Sequence, residues 1–351
     1  MKSIPQLRAK LTIWIPFLII IVTSIIYARK KSMGVIEGQT MGTTYTVKFV
    51  YTGSGPDLNI IQKAIDEKLQ DINRQMSTYI EDSEISRFNR LPVTHEWMNI
   101  SKEFYEVLLL SKEVYEKSEG YFDPTLGPAI NAWGFGEDGT WNVIPSEAKL
   151  KNISESVGFE KIEISPTKWA IRKHAQDVKI NLSAVAKGYA VDKVSEFLSS
   201  IGTRDYMVEI GGEIRVSGTK TEGLPWKIAL EKPLPTGSEI QKIISLSDMA
   251  TASSGDYRNY FEKDGVRYSH IISSTTLKPV THKLASVTVF NKSCATADAW
   301  ATAILAAGPE KGQYLAEKWN LSVYFIEKNT GTTFHTKTSK LFDEQIDFVK
   351  L

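Results

Sequence analysis

Beyond residue 34, segments with the two-residue alternation of β-strands come in runs, and helical segments interrupt them at irregular intervals. One helix per strand would indicate a parallel sheet. Its absence predicts an α+β fold with mixed, mainly antiparallel sheets and flanking helices. Residues 35–51 read as a strand with a glycine-containing step. Residues 57–76 carry helical spacing at Leu58, Ile61, Ile65, Leu69 and Ile72, and Ser101 caps a second helix over 101–117. A third helix starts after Pro145. Strands are expected at 161–165, 169–172, 178–182, 206–210, 214–217, 226–230 and 242–246, with a helix at 184–200. Asp264-Gly265, between strand-like residues 257–263 and 267–272, is the strongest hairpin signal in the chain. A strand at 285–290 leads into a helix over 295–307, followed by a further helix and two terminal strands.

The first residues are of another kind. Residues 11–27 (LTIWIPFLIIIVTSIIY) carry no charge and follow Lys2, Arg8 and Lys10. As a helix they would span ~26 Å at ~1.5 Å per residue, slightly short of a ~30 Å hydrocarbon core. A cleaved signal peptide would be cut near Ala28, with bulky Ile26 where a small residue is wanted. The expectation is therefore a basic segment and signal-anchor helix over 1–34, followed by one domain over 35–351. Arg29, Lys30 and Lys31 come directly after the run, so flanking charge does not orient it. Six of the 42 Lys/Arg and none of the 41 Asp/Glu lie in residues 1–31, which leaves the remainder at a net charge of −5. That mildly acidic body argues against nucleic acid as a partner. The single cysteine, Cys294, allows neither an intramolecular disulfide nor a CxxC metal site. With no cysteine after the apolar run to carry a lipid, the helix itself would be the membrane anchor.

Several segments carry groups suited to chemistry. In Ser293–Thr302 (SCATADAWAT), Asp298 and Thr302 stand four apart, one turn along the same helix face. Hard oxygens at that spacing suit Mg²⁺ with room left for phosphate oxygens, although a capped helix with a back-bonded threonine leaves the same pattern. In NLSAVAKGYA, Lys187 sits in the first turn of a helix after a strand. That makes an anion site, or equally an ordinary junction with a solvated lysine. Met41 lies in a glycine- and hydroxyl-rich entry to a strand. Tyr79 ends a helix where a ring could stack, and Asp123 lies in a rigid FDPTLGP turn from which it could bond a purine edge. Each also reads as a packed turn, and Glu209-Ile210-Gly211-Gly212-Glu213 reads as a hairpin turn. His270, beside two hydroxyl residues, is a candidate general base or a structural histidine.

Their order does what none does alone. GxxMGTTY, MSTY, SEISRFN, FDPTLGP, LSAVAKGYAVD, VEIGGEIRVSG, SSGDYRNYF, RYSHII, ASVTV and SCATADAWATA, from about Gly38 to Gly308, resemble the ApbE family of FAD:protein FMN transferases. The resemblance implies an α+β fold with FAD in a cleft and Mg²⁺ held by the Ala184 carbonyl, Asp298 and Thr302. It implies FAD contacts at Met41, Tyr79, Asp123, Lys187 and Ile271, with His270 as the catalytic candidate. It further implies transfer of FMN from FAD to a Ser or Thr of flavin-carrying subunits of membrane redox complexes. An inner-membrane protein with its domain facing the periplasm or cell exterior would fit that role. The alternatives are an FAD pyrophosphatase with water as nucleophile and a non-catalytic flavin-binding protein. Two positions depart from the family: Asn181 where Asp is common, and Ser273–Lys278 where an Asp-Pro-x-Thr-Gly turn is common.

Overall fold

The computed structural model describes residues 31–93, 96–137, 142–237, 239–329 and 333–349. Its centre is an eight-stranded sheet: β1 (Lys31–Thr40), β2 (Thr43–Thr52), β3 (Tyr206–Ile210), β4 (Glu213–Ser217), β5 (Met249–Gly255), β6 (Leu284–Asn291), β7 (Ser322–Lys328) and β8 (Phe334–Thr338). The strands lie side by side in chain order. Each is antiparallel to its neighbours. Among the described strands the smaller sheets are antiparallel as well, so the expected α+β class with mainly antiparallel sheets holds.

Residues 35–51 are a hairpin rather than one strand. Met41 and Gly42 take φ of 50° and 72°, and a two-residue loop with both central residues at positive φ matches the twist of the strands it joins. The glycine step is the turn itself. Asp264-Gly265 behaves in the same way, joining strands Tyr260–Lys263 and Val266–Ser269.

The helices are α1 (Leu58–Met76), α2 (Glu84–Arg90), α3 (Lys102–Lys117), α4 (Gly127–Ala132), α5 (Glu147–Ser154), α6 (Ala186–Ser200), α7 (Cys294–Lys318) and α8 (Lys340–Gln345). Asp57 caps α1 and Ser101 caps α3, each accepting a backbone N–H of the first turn. The buried stripe of α1 is Ile61, Ile65, Leu69, Ile72 and Met76, a helical period that faces the core. Gly308, at φ 79° and followed by Pro309, breaks α7 into the two helices expected there. Helices α1, α6 and α7 pack with one face of the sheet in the main core, and a second cluster of Trp226, Phe290, Tyr324 and Phe342 covers the other. Residues Leu284–Phe290 of β6 are accordingly buried without interruption.

Two sequence expectations fail for a physical reason. Strand β5 is absent from the sequence expectation, because MATASSG has one β-branched residue, Thr251, and no aromatic to mark it as a strand. Its small side chains, Ala250 and Ala252 fully buried, let α7 pack closely over it. Conversely, residues 178–182 join no ladder. Their alternating Val178, Ile180 and Leu182 are buried, but the Asn89 side chain takes the place of a neighbouring strand. It donates to the Ile180 carbonyl at 2.9 Å and accepts from the Ile180 N–H at 2.8 Å. Residues 11–27 lie outside the described residues. Among those described, no helix is long and apolar enough to cross a membrane.

Candidate functional site

Gly188 brings the site together. A Cβ there would lie 2.4 Å from the Cys294 carbonyl oxygen and 2.8 Å from Asp298 Cβ, so only glycine lets the first turns of α6 and α7 touch. The turn before α6 closes through Val185 and Ala186 N–H donating to the Leu182 carbonyl, and Val185 is not helical. Gly188 is the third residue of α6, so its N–H is one of the first-turn donors that have no acceptor within the helix. Here it donates to Asp298 Oδ2 at 3.0 Å. Ala184, which precedes the helix, lines the same cavity as this carboxylate.

Asp298 is 3% exposed, and burial raises its pKa against the opposing effects of Lys187 and the Gly188 N–H. One helical turn on, Thr302 Oγ1 shares a hydrogen bond with Ser254 Oγ of β5 at 3.1 Å. With the main-chain carbonyl of Ala184, the buried carboxylate and the hydroxyl offer hard oxygens of the kind that suit a divalent cation such as Mg²⁺. Among the described residues no cluster of three or more His, Cys, Asp or Glu offers another metal site.

Lys187 Nζ lies 2.6 Å from Glu213 Oε1, at the start of β4. Burial opposes the ammonium, but the charges of Glu213 and Asp298 outweigh it and hold its pKa above the ordinary lysine value. Burial raises the pKa of Glu213 too, above the ordinary carboxylate range, and its Oε2 is buried without a hydrogen-bond partner. In the sequence this buried carboxylate reads only as part of a hairpin turn. The Gly211-Gly212 turn is real, joining β3 to β4. The missed signal was an acid at an inward position of the strand that follows it.

Asp123 is 8% exposed and caps a short helical turn, its Oδ1 accepting Thr125 N–H at 2.8 Å and Thr125 Oγ–H at 2.6 Å. Burial pushes its pKa up to about 6. His270 stands at the end of the Val266–Ser269 strand. Its Nδ1 lies 3.0 Å from the Asn259 carbonyl, which also accepts the His270 backbone N–H at 3.1 Å. A carbonyl only accepts, so Nδ1 carries the proton and Nε2 is left as the acceptor. Burial lowers the imidazole pKa, which keeps the ring neutral.

All nine residues expected from the sequence line two adjoining cavities. Asp123, Ala184, Lys187, His270, Ile271, Asp298 and Thr302 face one of about 780 Å³. Met41, Tyr79 and again Lys187 face one of about 590 Å³. Tyr79 is 73% exposed, as a ring at the cleft mouth must be.

Both departures are absorbed locally. Asn181 Oδ1 accepts the Ser183 N–H at 2.9 Å and Oγ–H at 2.6 Å, so a neutral amide shapes the turn before Ala184. In the Ser273–Lys278 loop, Leu277 holds φ 55°, a conformation that favours glycine. It is buried, and its carbonyl accepts the Trp133 Nε1–H at 2.7 Å. The Ser273 N–H closes the loop onto the Lys278 carbonyl.

A long cleft with an ammonium, a buried cation-seeking carboxylate and an oriented histidine is suited to an extended ligand carrying phosphates. The ApbE family model matches residues 41–325, so the chain belongs to the ApbE family. It is 42% identical over 293 residues to the FAD:protein FMN transferase of Vibrio cholerae, covering 84% of this chain and 87% of that one. It is 41% identical over 311 residues to the protein of the same name from Haemophilus influenzae, covering 88% and 90%. The solved structure of the flavin transferase ApbE from Vibrio cholerae superimposes with a TM-score of 0.82 at 39% identity, covering 90% of this chain and 99% of that one.

Proposed function

We propose that the protein is a Mg²⁺-dependent FAD:protein FMN transferase. A Ser or Thr hydroxyl of an acceptor protein attacks the FMN-side phosphorus of FAD. The new P–O ester bond forms as the bond from that phosphorus to the bridging oxygen breaks, and AMP leaves with that oxygen. His270 Nε2 takes the hydroxyl proton, because Nδ1 is committed to the Asn259 carbonyl. Lys187, released from Glu213 by a more highly charged partner, neutralises diphosphate oxygens. Asp123 meets the purine edge, and Tyr79 offers a ring face at the mouth. The Ala184 carbonyl, Asp298 and Thr302 would hold Mg²⁺, which supplies charge stabilisation of phosphate oxygens when bound.

One observation carries this reading: the hydrogen bond from the Gly188 N–H to Asp298, which fixes a buried carboxylate in the cavity that Lys187, Ala184 and Thr302 also line. A cleft that only stored flavin would not call for such a donor set. Residues 31–34, expected to belong to the N-terminal segment, instead pair with β2 as the start of β1. We therefore read only the residues before Lys31 as a membrane anchor, which leaves the domain facing the periplasm or cell exterior, where flavin-carrying subunits of membrane redox complexes are the acceptors. The test is incubation with FAD, Mg²⁺ and a flavin-acceptor domain, followed by intact-mass measurement. One added FMN mass with equimolar AMP is expected. AMP and free FMN with an unmodified acceptor would make the protein a hydrolase, and uncleaved bound FAD would make it a flavin binder.

A further inference from the structure

The RYSHII segment contains a residue that the reaction as derived leaves without a role, Arg267. Its Nη2 donates to the Asp256 carbonyl at 2.8 Å, and its guanidinium lies 3.7 Å from the centre of the Tyr260 ring. Residues 256–259 form the bend between β5 and the Tyr260–Lys263 strand, and the last carbonyl of that bend, Asn259, sets the His270 imidazole. We propose that Arg267 is a positioning residue for His270, acting through the main chain of this bend. The proposal rests on the reading of His270 as proton acceptor.

Both ends of the bend are pinned while its middle belongs to no ladder. At one end Asp256 N–H donates to the Ala285 carbonyl, the Asp256 carboxylate pairs with Lys328 of β7, and Arg267 holds the Asp256 carbonyl. At the other end Tyr260 pairs with Ser269, one residue before His270. The planar guanidinium bridges the two ends, with a hydrogen bond on Asp256 and a stacked face on Tyr260. The hairpin does not need Arg267 to stay closed. Its four ladder pairs and the stacked rings of Phe261 and Tyr268, 5.0 Å apart, already hold it. What Arg267 adds is the placement of the Asn259 carbonyl, and so the Nδ1–H tautomer and the aim of Nε2. Placement errors near ~1 Å cost about 100-fold in rate.

The experiment compares Arg267→Gln, Arg267→Lys and His270→Gln in the full chain, with steady-state transfer kinetics and ¹⁵N spectra of the histidine rings. Arg267→Gln should lower kcat about 10- to 100-fold with the KM for FAD within about threefold. The His270 ring should pass from one Nδ1–H tautomer to a mixture. Arg267→Lys keeps the charge and one donor but loses the planar face, so it should recover part of the rate and of the tautomer signal. It also serves if the glutamine variant misfolds by circular dichroism. Normal kcat in both folded Arg267 variants, or a lowered kcat with an unchanged His270 tautomer, overturns the proposal. A near-normal rate in His270→Gln instead overturns the reading of His270 on which it rests, whatever the Arg267 variants do.

Discussion

The backbone N–H of Gly188 and Oδ2 of Asp298, 110 residues apart in the chain, meet at 3.0 Å where the first turns of α6 and α7 touch. No side chain fits between them, since a Cβ on Gly188 would stand 2.4 Å from the Cys294 carbonyl oxygen, a backbone atom that cannot swing away. Gly188→Ala should therefore push α7 off α6. The expected cost is about 1–3 kcal/mol of stability by thermal or urea unfolding, together with loss of FMN transfer. A variant as stable and active as the parent would mean that the two helices can separate without consequence.

Asp298→Asn keeps an oxygen for the Gly188 N–H but removes the charge. Because burial disfavours that charge, the variant should fold with equal or higher thermal stability. Its transfer rate should fall by at least about 100-fold, and added Mg²⁺, which should raise the melting temperature of the parent, should leave it unmoved. A variant that keeps its response to Mg²⁺ would place the cation elsewhere.

Asp123 gives a pH signature. Burial raises its folded pKa from 3.8 to about 6, so between those values the native state holds more protons than the unfolded chain. Stability from this group is then present at low pH and lost as pH rises through about 6. The loss amounts to about 3 kcal/mol at neutral pH. Asp123→Asn can still accept both bonds from Thr125, so it should unfold later than the parent at pH 7 and match it below about pH 4. Equal unfolding curves at both pH values would refute this account.

His270→Gln should leave FAD affinity nearly unchanged and lower transfer by about 10²–10⁴-fold. In the parent, burial lowers the imidazole pKa below the usual ~6.5, so the rate should fall on the acid side beneath that value as the base takes a proton. Asp256 opposes this shift and Lys187 favours it. The glutamine variant should lack that acid limb. If the limb persists, another group titrates there and His270 is structural.

The anchor reading requires that the mature protein keep residues 11–27 and stay with the membrane through a high-salt wash. N-terminal sequencing of a salt-released protein that begins at or after Arg29 would exclude it.

Local chemistry was legible in the sequence wherever a few neighbouring residues suffice. The stripe of α1, the Ser101 cap and the Asp264-Gly265 turn follow from side-chain period, an N-cap oxygen and positive φ, all properties of short segments. The nine candidate residues each belong to a compact motif, and the structure places all nine along two adjoining cavities. Strand β5 was not legible, because its small residues answer to α7 packed over it and to no preference of their own. Residues 178–182 alternate like a strand, yet a distant asparagine serves as their neighbour. The order of eight strands, the Lys187–Glu213 pair, the meeting of Gly188 with Asp298 and the hold of Asn259 on His270 were decided only by the tertiary structure. Such contacts depend on how elements far apart in the chain pack around one core, and neither partner carries a local mark of the other.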